Sequence, residues 1–194
     1  MLLPDKVVSA AAAEYSTEER EILLALVHRA IEARLKQETI DPTPPTPHLA
    51  ELRGAFTTLY LRGRLRGCVG YVAAVYPLYQ TVAETAVAAA FGDTRFHPVS
   101  AQEAPYLRTE ISVLSPVFPI RSEDIEIGKH GLLITKDARR GLLLPQVPVE
   151  HGWDRIMFLN QTCCKAGLPP DAWKHGATLE AFVAEVFREN DYIG

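Results

Sequence analysis

Cys68 lies in the stretch Leu65-Arg66-Gly67-Cys68-Val69-Gly70, with glycine before it and again two residues after it. A cysteine becomes reactive when cations or backbone amides stabilise its thiolate. Arg66 is two positions away, so in a regular strand both side chains emerge on one face. Arg62 and Arg64 lie across the adjoining turn. Gly67 and Gly70 could leave backbone N–H groups free to hold an anion, in the manner of an oxyanion hole. His130 is the preferred candidate base with Glu110 as its orienter, while His97 and Asp93 could serve in the same two roles. Together these residues describe a Cys-His site with Arg66, Gly67, Gly70, Arg95 and His97 as contacts for a small anion. Each also has a plainer reading. Cys68 can be a small residue packed in a tight strand. His130, between Lys129 and Gly131, either caps a turn or lines a groove. His97 precedes Pro98, which restricts it to extended backbone. Arg95, beside Asp93 and Phe96, is either a salt-bridge strut or an anion clamp.

The elements that must position these residues are legible in outline. Ser16 and Glu19 have capping-box spacing, and Ile22, Leu23, Val27, Ile31 and Leu35 form one apolar stripe, predicting a helix from Thr17 to about Lys36. Residues 1 to 15 are a weakly patterned lead-in. Asp41 to His48 contains four prolines and predicts an extended connector. A hairpin follows, with strands over residues 54–60 and 65–71 and a turn at Arg62-Gly63-Arg64. The two glycines inside its return strand conflict with strand propensity and mark a bulge or a close backbone approach. Pro77 to Phe91 predicts an alanine-rich helix ended by Gly92. A short helix is expected near residues 101–106 and a strand over 109–114, with Glu110 and Ser112 on one face. A second hairpin spans residues 132–145, and Gln146 to Glu150 reads as a loop kept irregular by Pro145 and Pro148. A helix is expected from Asp154 to Ala166, with Ile156, Leu159, Cys163 and Ala166 on one face. Residues 178–189 fit helix or strand.

Composition bounds the rest. A chain of 194 residues with 47% apolar and 23% charged residues is ordinary globular material, read as one domain over 1–194. A net charge of -4 argues against broad nucleic-acid binding. Three cysteines, two of them adjacent, do not make a secreted disulfide framework. No signal peptide and no apolar run of roughly 18 residues is evident, so a cytoplasmic location is expected. With no C-x-x-C or H-x-x-x-H pair, no metal site is expected. With no P-loop or G-x-G-x-x-G, no nucleotide or other cofactor is expected.

The motif LRGCVG at Leu65–Gly70 resembles the signature of the AMMECR domain family, the protein A component of the AmmeMemoRadiSam group. Gly54-Ala55-Phe56, the Asp93–Pro98 loop, Gly128–Leu132, Leu144–Val147, Trp153 and Cys163–Leu168 follow the family's order. Val69 replaces the family's usual isoleucine, with little change in volume. The likeness covers residues 15 to 190. It implies an α+β fold, with a largely antiparallel sheet flanked by helices, a smaller second lobe and a groove near the signature. It also implies a strand in the 178–189 segment. The family carries no settled reaction. Its associations imply two partners, a dioxygenase-like protein and a radical S-adenosylmethionine protein.

Two functions follow. One is an enzyme or enzyme component that takes a small anionic or peptide-like substrate in a groove around Cys68. The other is a non-catalytic adaptor that offers the same groove to a partner protein. Sequence-specific nucleic-acid binding is a third and weaker reading.

Overall fold

The computed structural model describes residues 13–189; most of the weakly patterned lead-in lies outside them. In chain order the helices are α1 (Thr17–Lys36), α2 (Leu78–Phe91), α3 (Gln146–Glu150) and α4 (Arg155–Lys165). The strands are β1 (Ala55–Leu61), β2 (Arg64–Tyr71), β3 (Leu107–Leu114), β4 (Phe118–Pro119), β5 (Gly131–Lys136), β6 (Arg139–Leu143), β7 (Thr178–Phe182) and β8 (Ala184–Arg188). The chain divides into two compact units, one built from Ala13–Leu114 with residues 185–189 and the other from Ser115–Ala184. The expected α+β class holds, with two sheets of mainly antiparallel strands.

The first unit carries a four-stranded sheet in the order β2-β1-β3-β8. Burial alternates along β1: Ala55, Thr57 and Leu59 are buried, and Phe56, Thr58 and Tyr60 less so. The buried face packs against Leu23, Val27 and Ile31 of α1 and Val82, Ala86 and Ala89 of α2. The α1 capping box forms as its spacing requires: the Ser16 hydroxyl accepts from the Glu19 N–H, and the Glu19 carboxylate accepts from the Ser16 N–H. The β1–β2 turn places Arg62 and Gly63 at φ of 51° and 74°, which matches the right-handed strand twist. The helix expected near residues 101–106 contracts to one 3-10 turn at Ala104–Tyr106, because Pro105 supplies no backbone donor.

The second unit carries the sheet β4-β7-β5-β6. Its apolar centre comprises Leu132, Phe158, Leu159 and Ala181, with Ile134, Cys163, Leu168 and Ala172 beside it. The loop expected at Gln146–Glu150 is a short helix. Pro145 is its N-cap and Pro148 lies in its first turn, where no backbone donor is needed. The buried stripe of α4 runs through Phe158, Leu159, Thr162 and Cys163, and Ile156 is 46% exposed. The ambiguous 178–189 segment forms two strands. They part at Val183, whose N–H and carbonyl are both taken by Ser115.

Candidate functional site

The glycines of the signature are explained by packing. A Cβ on Gly67 would lie 2.1 Å from the carbonyl oxygen of Ala89, so α2 rests directly on the backbone of β2. A Cβ on Gly70 would lie 2.2 Å from the Phe56 ring. This close approach, rather than a free oxyanion cradle, is what the two residues provide. The adjacent N–H of Cys68 is also occupied: it donates to Asp93 Oδ2 at 2.9 Å.

That bond belongs to a clamp on the sheet's edge. β2 is an outer strand, and its exposed main-chain groups need partners. Asp93 accepts from the Cys68 N–H, while Arg95 Nη2 donates to the Cys68 carbonyl at 3.4 Å. The two side chains are joined by Nε–Oδ1 and Nη2–Oδ2 bonds of 2.9 and 2.7 Å. An ion pair thus stands where another strand would pair. Arg95's hydrogen bonds hold the nearly buried Asp93 carboxyl well below the usual carboxylate range, helped by the Cys68 N–H and opposed by desolvation. Arg95 is held above its ordinary value, first by its bonds to Asp93 and against the cost of desolvation.

Arg66 is placed differently from its expected position. The β1–β2 register slips after Leu59, which pairs with Gly67, while Tyr60 pairs with Leu65. Arg66 therefore sits at a bulge, where the two-residue alternation with Cys68 fails. Its Nε and Nη2 bind both oxygens of Glu103 at 3.2 Å, and Nη2 also reaches the Pro98 carbonyl. This fork pulls the Glu103 carboxyl down to about 2. Arg66 Nη1 is buried and has no partner among the described residues.

Arg66, Arg95 and His97 come together at one cleft. They line a cleft of ≈ 470 Å³ with Thr94, Phe96, Pro98 and Glu103. The Arg95 side chain is 57% exposed and its guanidinium carbon lies 5.5 Å from the Phe96 ring centroid. His97 is exposed, and its ring makes no hydrogen bond with other described residues. Gly67 is buried under α2, and Gly70 borders a different cleft.

The Cys68 side chain projects from the sheet face opposite the helices and is partly exposed. Thr58 pairs with Cys68 on one side and with Glu110 on the other. Its hydroxyl donates to Cys68 Sγ at 3.3 Å, and Glu110 lies 3.8 Å from Arg188. Cys68, Thr58, Glu110 and Arg188 thus form a polar row across the sheet. His130 belongs to the other unit, where its Nδ1 accepts the Glu126 N–H at 3.0 Å and its ring meets Phe118 edge-on. It caps its own turn, and burial lowers its pKa. Thr58 and Glu103 escaped sequence reasoning. The Ser100-x-x-Glu103 spacing, which does form reciprocal bonds, was the available signal for Glu103.

This arrangement can hold an anion against Arg95 Nη1 and can donate a hydroxyl hydrogen bond to a thiolate. Among the described residues no helix is long and apolar enough to cross a membrane.

The AMMECR1 family model matches residues 24–187. Protein MK0488 of Methanopyrus kandleri is 44% identical over 91% of this chain and 91% of its own length. Protein TK0174 of Thermococcus kodakarensis is 43% identical over 87% and 89%. Among solved structures, uncharacterized protein PH0010 from Pyrococcus horikoshii superposes with a TM-score of 0.75 at 41% identity, covering 88% of this chain and 91% of that one.

Proposed function

The chain belongs to the AMMECR1 family, and from that premise we propose that it binds a small anionic or peptide-like substrate in the cleft beside the Cys68 strand, as an enzyme or enzyme component. The observation that carries this reading is the Arg95 guanidinium. The side chain that carries it is more than half exposed, and the group lies over Phe96 and is tied to the carbonyl of the residue that bears the thiol. A carboxylate-bearing substrate would meet Arg95 Nη1, the guanidinium nitrogen that neither Asp93 nor the Cys68 carbonyl engages, with the exposed His97 at the same cleft. Cys68 would be the thiol presented to it, with Thr58 stabilising the charged sulfur and Glu110 behind Thr58.

The test compares alkylation of Cys68 by iodoacetate and by neutral iodoacetamide, with the exposed Cys164 as internal reference. We expect Cys68 to favour iodoacetate over iodoacetamide, relative to Cys164, by about fivefold or more at low salt. Arg95→Met should abolish that preference, and Arg95→Lys should keep part of it. Equal preference at the two cysteines sinks the reading.

A specific observation favours the adaptor. Among the described residues Thr58 is the only side chain hydrogen-bonded to Cys68 Sγ, so no base touches the thiol. Under that reading a dioxygenase-like or radical S-adenosylmethionine partner docks at the cleft. Arg95→Met then weakens co-purification of such a partner, while Cys68→Ala leaves it unchanged.

A further inference from the structure

A second cleft lies at the C-terminal end of β2 and plays no part in the reading above. It measures ≈ 480 Å³ and is lined by Gly70, Tyr71, Val72, Val75, Tyr76 and Glu84. The Tyr71 and Tyr76 rings stand 6.4 Å apart between centroids at 53° to one another. Glu84 reaches the cleft from α2 and accepts a hydrogen bond from Gln80 at 2.8 Å. Among the described residues it forms no ion pair. The aromatic loop is fixed rather than loose. The Tyr76 carbonyl accepts the Arg53 N–H and the Thr81 hydroxyl, and Leu52 bridges Pro77. Yet the loop leaves Val75 59% and Tyr76 40% exposed.

Aromatic faces carry negative quadrupole charge and attract cations, most strongly those with bulky or alkylated ammonium groups. A carboxylate without a cation in the same cleft supplies the matching countercharge. Val72 and Val75 offer apolar surface for methylene groups. Burial, joined by the charge of Glu84, raises the Tyr71 hydroxyl above its ordinary value, and Glu84 is the one carboxylate lining the cleft. An anion is excluded by the same group. We propose that this cleft binds an aliphatic ammonium group, with Tyr71 and Tyr76 against the cation, Glu84 as its counter-charge and the valines along its alkyl chain.

The experiment is a titration of the full chain with n-butylammonium and tetramethylammonium, followed by two-dimensional amide NMR. n-Butanol serves as the neutral control. Saturable shifts confined to residues 70–76 and 84 are expected, and butanol should bind more weakly by about fivefold or more. Glu84→Gln, which keeps the shape and the Gln80 neighbour, and Tyr76→Ala, at an exposed loop position, should each weaken butylammonium by about fivefold. Their spectra elsewhere should match the parent protein's. A lysine-containing tripeptide distinguishes the source of the cation: tighter binding than butylammonium assigns a peptide side chain, and equal or weaker binding assigns a free amine. An equal response to butanol, no saturable shift with either cation, or unchanged affinity in Glu84→Gln overturns the proposal. None of these outcomes bears on Cys68 alkylation, so this site and the proposed function fail independently.

Discussion

Cys68 follows Gly67 within β2, and His130 precedes Gly131 at the start of β5, so both are chemistry-bearing residues set against a glycine. Their surroundings differ in kind. Beside Cys68, α2 presses its main chain onto Gly67, and an ion pair drawn from a distant loop closes the strand's outer edge. The thiol itself stays partly exposed on the far face. Beside His130, the Phe182 ring fills the space over Gly131, and the imidazole turns back on its own chain to accept from Glu126. A glycine next to a reactive residue therefore reports close packing in both places. What separates a candidate site from a structural residue is where the polar partners come from: far along the chain for Cys68, four residues away for His130. Long-range partners that leave a charged group exposed are costly to arrange by chance, and local ones are ordinary turn chemistry.

The largest expected effect tests the packing half of this comparison. Gly67→Ala sets a methyl 2.1 Å from a helix carbonyl, and only movement of α2 relieves it. Gly131→Ala sets one 2.2 Å from the tip of the Phe182 ring, which can tilt. Thermal and urea unfolding should show a loss of about 3 kcal/mol or more for the first and about 1–3 kcal/mol for the second. The reverse order would mean that the ring, not the helix, is the rigid neighbour.

Asp93→Asn comes next. It keeps an acceptor for the Cys68 N–H but leaves Arg95 without its counter-charge, and a loss of about 1–3 kcal/mol is expected near neutral pH. The native Asp93 carboxyl titrates below its unfolded value. Its stabilising contribution is therefore present above the ordinary carboxylate range and is lost as pH falls from there toward the lower, folded value. Urea midpoints between pH 7 and 3 should fall less steeply in Asp93→Asn than in the parent protein. Equal slopes would show that the clamp carries no net linkage.

His130 supplies a smaller effect at higher pH. Its folded value lies below the unfolded one of about 6.5. The unfolded chain then takes up the proton first, so stability falls as pH drops below about 6.5 and levels once the folded form is protonated. His130→Asn places an amide oxygen where Nδ1 accepts from Glu126. It should cost about 1 kcal/mol at pH 7.5 and flatten the decline toward pH 5, read by near-ultraviolet circular dichroism in urea. A steep decline that survives the substitution would remove His130 as its source.

Much of this was legible because the signals were local. The α1 capping box, the Arg62-Gly63 turn and the alternation of β3 each require residues only a few positions apart. The cluster of Arg66, Arg95 and His97 was legible as a set of residue types, since loop 93–98 and the signature read together. The pairing that matters most to the thiol was not. Counting back from the turn, where Leu61 faces Arg64, an unbroken ladder would set Thr58 opposite Gly67. The bulge at Arg66 moves the partner on by one residue, to Cys68. Nothing in Leu65-Arg66-Gly67 announces that slip. Its surroundings are tertiary: Gly67 lies under Ala89 and Arg66 reaches Glu103, contacts to segments far along the chain.

The smallest predicted effect tests that displaced pairing directly. Thr58→Val removes the hydroxyl that donates to Cys68 Sγ at 3.3 Å and preserves the β-branched shape of the strand. A donor helps the charged sulfur more than the neutral thiol, and the charged form is the nucleophile. A neutral hydrogen bond contributes about 0.5–1.5 kcal/mol, so iodoacetamide should modify Cys68 about two- to tenfold more slowly at pH 7.5. Cys164, exposed on α4, should react at its parental rate and control for the reagent. The comparison also separates the hydroxyl from the arginine. Thr58→Val should slow iodoacetate and iodoacetamide by the same factor, because it alters the sulfur alone, whereas Arg95→Met should change their ratio. If Thr58→Val leaves both rates untouched, the bulge aligns the two residues without coupling them, and the reactivity of Cys68 rests on the Asp93–Arg95 clamp.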